Sequence, residues 1–209
     1  MKKLLTSLVL VLLIAGNSFG QDYKQVGIGI GTTFNFNPGS LNFQSIQTIR
    51  VPINVSANLR VEPFVGIFGS DDKITTKMDP TASRKLKSSA LLVGAGLFFV
   101  VPQESGNFYL GASASKYSAD DEVNERDEDG TYKQTEETSG WIFSPTIGAE
   151  YYFSPSFSLG LEAGFGFMSG ETDYSAEEIN QYNSYKQDQN NENNNTYSFT
   201  TLTVKYFIF

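Results

Sequence analysis

The chain has 209 residues, of which 15 are basic and 23 acidic, and its formal net charge is −8. This length is enough for a single domain. The acidic balance argues against binding of nucleic acid, which needs a basic surface. The sequence contains no cysteine, which excludes both a disulfide framework and a lipid anchor attached through cysteine.

The first twenty residues have the pattern of a secretory signal peptide. Two lysines precede an apolar run, Leu4 to Ala15, that is shorter than the roughly 20 residues a membrane-spanning helix needs. Ser18-Phe19-Gly20 follows, with small residues at both positions that a signal peptidase reads. We expect residues 1–20 to be removed and Gln21 to begin the mature chain, a retained helical anchor being the alternative. Loss of both lysines leaves 13 of the 15 basic residues against 23 acidic ones, a net charge of −10.

Period-two alternation of large apolar residues with glycine, small or polar residues dominates the rest of the chain. In the clearest segment the odd positions from Phe157 to Phe167 are apolar, whereas the even ones are mostly glycine, serine or glutamate. Such alternation predicts β-strands with one apolar face. Without a second long apolar run, a chain that spans a membrane has to close into a barrel. The alternation recurs in eight segments, at Val26–Ile30, Ile49–Val55, Leu59–Ile67, Leu91–Phe99, Phe108–Ala114, Ile147–Phe153, Phe157–Phe167 and Leu202–Ile208.

The connections between these segments alternate between short and long. A three-residue turn at 56–58 would pair Val55 with Leu59 and Ile53 with Val61, apolar with apolar. One at 154–156 would pair Phe153 with Phe157 and Tyr151 with Leu159. We therefore predict an all-β fold, an eight-stranded antiparallel up-and-down transmembrane β-barrel with all its long connections at one end. Short connections are expected at 56–58, 102–107 and 154–156, and long ones, rich in Asp, Glu, Asn, Lys or Ser, at 37–45, 70–84, 119–139 and 170–196.

The leader, the strand count, the loop asymmetry and the aromatic-rich ending Val204-Lys205-Tyr206-Phe207-Ile208-Phe209 together resemble the small OmpA/OmpX-like outer-membrane barrels. The resemblance covers nearly all of residues 22–209. It implies a single barrel domain over 21–209 in the outer membrane of a Gram-negative cell, with the long loops extracellular. It also implies that the barrel assembly machinery reads the C-terminal strand ending at Phe209, although Phe207 and Phe209 share the inward parity of Lys205, which is unusual for the family.

The same resemblance bears on partners. We expect a monomer whose main contact is outer-membrane lipid. No periplasmic cell-wall-binding domain follows the barrel in this sequence, so tethering to the cell wall is not implied. A slip of one residue, or a Phe209 that overhangs the barrel, would account for the unusual parity of the last aromatics.

The alternative architecture is a soluble eight-stranded barrel of lipocalin type. There the apolar face lines the cavity and the polar face meets water. The continuous apolar face and the small, glycine-rich opposite face favour the membrane barrel. Pro52, Pro63 and Pro145 lie inside proposed strands, and a closed barrel has no edge on which to hide a missing N–H. We expect bulges at these prolines.

The functional residues that the sequence offers are few. Histidine is absent, which removes serine–histidine and cysteine–histidine catalysis, so we expect no enzyme, assign no catalytic residue and expect no cofactor. The expected function is structural, or interaction with the surroundings through the long external loops. A narrow channel for ions or small solutes is the alternative, and a lipocalin-like ligand-binding barrel is the second.

Charged residues at inward positions predict a plugged lumen. An eight-stranded barrel is just wide enough for side chains to fill. The predicted register sets Glu150 diagonal to Glu162, and two close carboxylates need a cation between them. Arg50 is the expected partner, because its planar fork can bind two carboxylates. The six charged residues of this cluster are Arg50, Arg60, Glu62, Glu150, Glu162 and Lys205.

The third long connection, within 120–137, holds a calcium-loop pattern. It matches D-x-[DN]-x-[DN]-G-x5-E at every position except the first. A glutamate at position one, Lys133 at a usual ligand position and the lack of flanking helices count against it, and a solvated acidic loop is the favoured interpretation. Residues 187–195 are read as a disordered loop tip. The candidate calcium ligands are Glu125, Asp127, Asp129, Thr131 and Glu136.

Overall fold

The computed structural model describes residues 26–37, 40–75, 83–126, 130–180 and 184–208, so the expected signal peptide lies outside the described residues. Within these ranges no helix is long and apolar enough to cross a membrane. The described residues form strands β1 (Gly27–Asn37), β2 (Ser40–Arg50), β3 (Ile53–Ser56), β4 (Leu59–Thr75), β5 (Ser83–Gln103), β6 (Gly106–Arg126), β7 (Gly130–Ser154), β8 (Phe157–Asn180) and β9 (Ser184–Phe207).

These strands close into an eight-stranded barrel. Hydrogen-bonded pairing runs β2-β1-β9-β8-β7-β6-β5-β4-β3, all antiparallel, and β2 also pairs with β4 to complete the circle. β2 and β3 are two segments of one strand, because both pair with β4 in the same register. The predicted fold class and strand number are therefore confirmed.

The apolar face of the barrel points outward. Ile30, Leu110 and Phe153 are each more than 60% exposed, whereas Arg60 and Lys205 on the opposite face are fully buried. This arrangement is the reverse of a lipocalin, which rules out the soluble alternative. A continuous exposed apolar belt of this kind is stable only against lipid. The belt includes Ile28, Ile49, Leu97, Phe99, Phe108, Phe143, Ile147, Leu161 and Phe165.

The short connections lie at one end, called here the short-turn end. The predicted pairs Ile53 with Val61 and Tyr151 with Leu159 are confirmed. The predicted pairs Val55 with Leu59 and Phe153 with Phe157 were wrong. Ser56 pairs with Leu59 and Ser154 pairs with Phe157, so the turns have two residues rather than three. Val55, between Asn54 and Ser56, and Phe153, between Tyr152 and Ser154, each form a bulge next to the turn.

The bulges expected at the prolines are absent from the described strands, and that prediction was wrong. Val51 and Pro52 interrupt the strand without changing its register, and the interruption lies opposite Pro63. Val51 donates its N–H to the Pro63 carbonyl oxygen at 2.9 Å. Pro52 and Pro63, on neighbouring strands, thus interrupt the ladder of hydrogen bonds at the same place. Pro145 keeps its pairing partner Ala112 on β6, and the β7–β8 register is the same on both sides of it.

At the other end, the long-hairpin end, the strands continue through most of the segments predicted to be loops. β7 has 25 residues and β8 and β9 have 24 each, against the about 9–11 that cross a bilayer. Residues 187–195, expected to be disordered, belong to β9 and pair with β8. The strands beyond the belt form what we call the distal sheet: residues 68–75, 83–90, 118–126, 130–140, 169–180 and 184–196.

Among the described residues the distal sheet is open at both sides, unlike the barrel below it. Pairing of β1 with β9 is described only as far as Phe36 with Ser198, and pairing of β2 with β4 only as far as Gln47 with Ile67. The distal parts of β9 and β4 are therefore its two edges.

Candidate functional site

The structure brings the six predicted lumen charges together. All are buried, and Arg50 is the most exposed of them at 7%. Arg50 Nη1 lies 3.0 Å from Glu62 Oε1 and 2.8 Å from Glu162 Oε2. Lys205 Nζ donates to the second oxygen of Glu62 at 2.8 Å. Glu62 therefore binds two cations, one from the neighbouring strand β2 and one from β9.

Arg60 and Glu150 form the second part of the cluster. Arg60 Nη2 lies 2.8 Å from Glu150 Oε2, and Arg60 Nε donates to Asn54 Oδ1 at 2.9 Å. The Ser158 hydroxyl donates to Glu150 Oε1 at 2.6 Å. Arg50 binds Glu162 as expected, but its second carboxylate is Glu62 rather than Glu150. Closure of the barrel places the Arg60 guanidinium against Glu150, a contact across the lumen that hairpin registers alone do not reveal.

Tyr109 belongs to the cluster and was missed by the sequence analysis. Its hydroxyl donates to Glu162 Oε1 at 3.0 Å, and its ring centroid lies 5.5 Å from Lys205 Nζ and 5.6 Å from Arg60 Cζ. The ring fits against Gly148, where an added Cβ would overlap it. Its inward parity opposite Gly148 is the signal in the sequence that could have identified it.

Aromatic rings close the lumen at the short-turn end. Phe207 is 1% exposed, and its ring centroid lies 5.8 Å from that of Tyr152 and 5.8 Å from Arg60 Cζ. Phe207 pairs with Gly27 on β1, so its inward parity is real and not a slip of one residue. Phe209 lies outside the described residues.

On the long-hairpin side of the charges the described residues enclose a cavity of about 60 Å³. Phe199 fits against Gly164, with its Cζ atom 2.8 Å from the position of an added Cβ, and Tyr197 lies against Gly166 in the same way. The cavity has room for about two waters. It is lined by Thr48, Arg50, Ser115, Ser144, Tyr197 and Thr201, among others.

Comparison with known proteins places the fold. No protein-family model and no curated protein matches the sequence. Among solved structures, a major outer membrane protein from Thermus thermophilus has a TM-score of 0.52 at 11% identity, covering 87% of this chain and 98% of that one. The outer membrane protease OmpT from Escherichia coli has a TM-score of 0.50 at 16% identity, covering 87% and 78%. By fold, the chain is an outer-membrane β-barrel.

The attachment invasion locus protein Ail from Yersinia pestis is also similar, with a TM-score of 0.40 at 10% identity over 87% of this chain and 95% of that one. At these identities the likeness concerns the fold alone. The chemistry of this outer-membrane β-barrel therefore has to be read from its own residues.

The calcium-loop candidate of the barrel is not assembled by the described residues. Glu125 lies opposite Tyr132 and forms an ion pair with Arg84 at 2.9 Å, whereas Glu136 lies opposite Asp121. Four residues along a strand separate these levels by roughly 13 Å, so Glu136 does not fold back toward Glu125.

The remaining candidate ligands do not change this result. Thr131 lies opposite Arg126 on the extended hairpin, and Asp127 and Asp129 lie outside the described residues. Among the described residues no group of three acidic, histidine or cysteine side chains could hold a metal ion. What is described of the segment is a solvated acidic hairpin.

The charges of this hairpin act on one another only locally. Asn124 Nδ2 donates to Glu122 Oε1 at 2.8 Å, and Lys133 Nζ lies 3.8 Å from the same oxygen. The hydrogen bond from Asn124 is the main reason why the pKa of Glu122 lies below its usual range, with Lys133 adding to it. Glu122 is therefore an ionised surface carboxylate at neutral pH.

Proposed function

We propose that this barrel is a surface-interaction protein of the outer membrane, with its short-turn end in the periplasm and its distal sheet outside the cell. The observation that carries the proposal is the length of the strands at one end only. β7, β8 and β9 each have 24 or 25 residues. This is more than twice the length of about 9–11 residues that a strand needs to cross lipid. A purely structural membrane anchor has no need of this extra sheet.

The orientation can be tested because the chain has no cysteine. Thr131 lies exposed on the distal sheet, and Ser105 lies exposed in the β5–β6 turn. In intact cells a membrane-impermeant maleimide should label T131C and not S105C, and both should react after lysis. Labelling of S105C alone in intact cells would contradict the proposed orientation.

The proposal includes a lumen that does not conduct. Support comes from the charged cluster, in which Arg50 joins Glu62 on one side of the lumen to Glu162 on the other. A planar bilayer containing the refolded mature chain should show no steady current. Replacing Arg50, Lys205, Glu62 and Glu162 together by alanine removes two cations and two anions, so the net charge is unchanged and, among the described residues, no ion-pair partner of these four is left behind. This variant should produce a measurable conductance. Steady current through the wild-type protein would favour the channel alternative.

A further inference from the structure

The inner face of the distal sheet forms a polar cavity beyond the membrane. Cross-strand pairing places three residue rows one above another: Tyr117 to Asn193, then Ala119 to Asn191, then Asp121 to Gln189. These residues have the parity of the lumen face, so they lie on the inner side of the sheet. The cavity has a volume of about 470 Å³ and is lined by Glu136, Thr172, Tyr174, Gln189, Asn191, Glu192 and Asn193.

One buried polar group beside the cavity has no partner in the described part of the chain. Tyr117 is 8% exposed, and its hydroxyl has no hydrogen-bond partner. The hydroxyl lies against Gly170, which pairs with Asn193 and precedes Thr172 by two positions on the same face. A buried hydroxyl normally finds a partner, since leaving it unpaired is costly. The hydroxyl is enclosed beside the membrane-side end of the cavity, so a polar group of a ligand that enters there would supply the missing partner.

The chemistry of the lining limits the ligand class. Amide side chains offer both a donor and an acceptor, and a carboxylate accepts two hydrogen bonds, which suits a molecule with neighbouring hydroxyl groups. Tyr174 adds an aromatic face against which C–H groups can pack. Its hydroxyl lies 3.4 Å from that of Tyr132, which in turn donates to Gln134 at 3.0 Å, so the ring is held in place.

The negative charge of the cavity wall favours neutral ligands over anionic ones. Glu136 is in the cavity wall, and its partner in the row is Asp121. The whole chain carries a formal net charge of −8, and like charges at close range repel. A sulfated or phosphorylated sugar, or a nucleic acid, would meet this repulsion, whereas a neutral sugar would not.

We propose that this cavity binds a neutral oligosaccharide, with a sugar ring packed on Tyr174 and its hydroxyl groups bound by Glu136 and the amides of β9. The inference deepens the proposed function and rests on the distal sheet being extracellular. The sugar can belong to a glycan of the cell's own surface or to one of a neighbouring cell, since both present the same chemistry.

The test uses the full mature chain in nanodiscs. Maltoheptaose, cellohexaose, chitohexaose and a linear mannan are titrated by calorimetry, with a heparin hexasaccharide as the anionic comparison. At least one neutral probe should bind saturably with a dissociation constant below about 1 mM, and heparin should not. Saturable binding of heparin alone, or of no probe up to about 10 mM, would overturn the proposal.

Matched variants locate the site. Glu136 and Glu137 are neighbours on opposite faces of β7, as Tyr174 and Asp173 are on β8. E136Q and Y174A should each weaken binding by roughly tenfold or more, the size of one lost hydrogen bond to a charged group or one lost ring contact. E137Q and D173A should leave it unchanged. Equal effects of both pairs would show that the probe does not bind in this cavity.

Two further comparisons show where the sugar comes from and which of the two proposals fails if a result is negative. Nanodiscs containing lipopolysaccharide with its outer sugar chain should compete with the soluble probe if the ligand belongs to the cell's own surface, whereas binding without competition indicates a foreign glycan. If maleimide labels T131C on intact cells but no probe binds, only the sugar inference fails. If labelling places Thr131 inside, the proposed function fails whatever the nanodiscs bind.

Discussion

Arg50 shows at the residue scale how a narrow barrel holds charge away from water. A buried ion needs a partner at hydrogen-bond distance, because removal from water costs several kcal/mol per charge. Arg50 meets this need twice, at Glu62 and at Glu162. Removing Arg50 leaves Glu162 buried with no cation at 4 Å or less among the described residues and only the Tyr109 hydroxyl bound to it, whereas Glu62 keeps Lys205.

We therefore expect R50A to lose roughly 3–5 kcal/mol of unfolding free energy. R84A is the matched control, since Arg84 also pairs with a glutamate, Glu125, at 2.9 Å but is half exposed. Such a surface pair contributes about 0–1 kcal/mol. Urea unfolding in lipid vesicles, followed by tryptophan fluorescence, measures both variants. Equal stability of R50A and the wild type would contradict the buried-cluster account.

Glycines in the lumen provide space for aromatic rings, which gives a second residue-scale prediction. A Cβ at Gly148 would overlap the ring of Tyr109, whereas a Cβ at Gly69 would meet only the Ser88 carbonyl oxygen at 3.8 Å. G148A should cost about 1–3 kcal/mol, the usual cost of overpacking, because Tyr109 has to move away from Glu162. G69A should have the same urea midpoint of unfolding as the wild type, within error. A larger loss in G69A than in G148A would show that overpacking does not explain the glycine.

The sequence predicted which charges face the lumen and that Arg50 binds Glu162, but not the other pairings. Parity along a strand follows directly from the period of two, so all six inward charges were identified. The contacts of Arg50 with Glu162 and of Arg60 with Glu150 join strands far apart in the chain. They depend on the shear of the closed barrel, which hairpin registers do not determine. Tyr109 was missed because its hydroxyl partner, Glu162, lies two strands away.

At the element scale, the distal part of β9 is where sequence reasoning failed. Residues 187–195 are all Asn, Gln, Asp or Glu, so neither face is apolar and no alternation can be seen. The segment is nevertheless strand, because pairing with β8 satisfies its backbone groups over the whole length. The acidic segment 119–139 was misread for the same reason, and most of it belongs to β6 and β7.

Hydrogen exchange can distinguish this strand from a disordered loop. Between Ser184 and Tyr197, β9 pairs with β8 on one side only, whereas β1 covers the other side from Ser198 to Phe207 in the described residues. Alternate amides in the distal part should be protected and the others should exchange freely, since an edge strand has every second N–H unpaired. From Ser198 onward nearly all amides should be protected. NMR of the protein in nanodiscs gives the pattern, and uniformly fast exchange across 187–195 would restore the disordered interpretation.

For the whole molecule, closure is the property with the largest consequence for stability. Pairing of β1 with β9 and of β2 with β4 leaves no sheet edge within the belt, and every backbone group in lipid has to be satisfied internally. The sequence predicted this architecture well, since outward apolar residues, inward glycines and loop lengths all agreed. The prolines were the exception, because the shared gap of Val51–Pro52 and Pro63 arises only from their alignment on neighbouring strands.

Closure predicts that the folded protein resists detergent until it is heated. The refolded mature chain should migrate differently on a gel before and after boiling in dodecyl sulfate, with strong β signal in circular dichroism before boiling only. R50A should convert to the boiled form at a lower temperature than R84A does. Identical migration of boiled and unboiled samples would count against a closed barrel.

The fit of aromatic rings against glycines also constrains how such a chain can change over evolutionary time. In three pairs an aromatic ring occupies the space that a Cβ on the facing glycine would take: Tyr109 with Gly148, Phe199 with Gly164, and Tyr197 with Gly166. A larger residue at the glycine becomes tolerable only after the ring has become smaller, so the order of two substitutions matters, and the intermediate in the wrong order is overpacked. These positions should therefore be inherited as pairs: among descendants of this barrel, a lineage that has lost the tyrosine at 109 is the one in which 148 is free to vary.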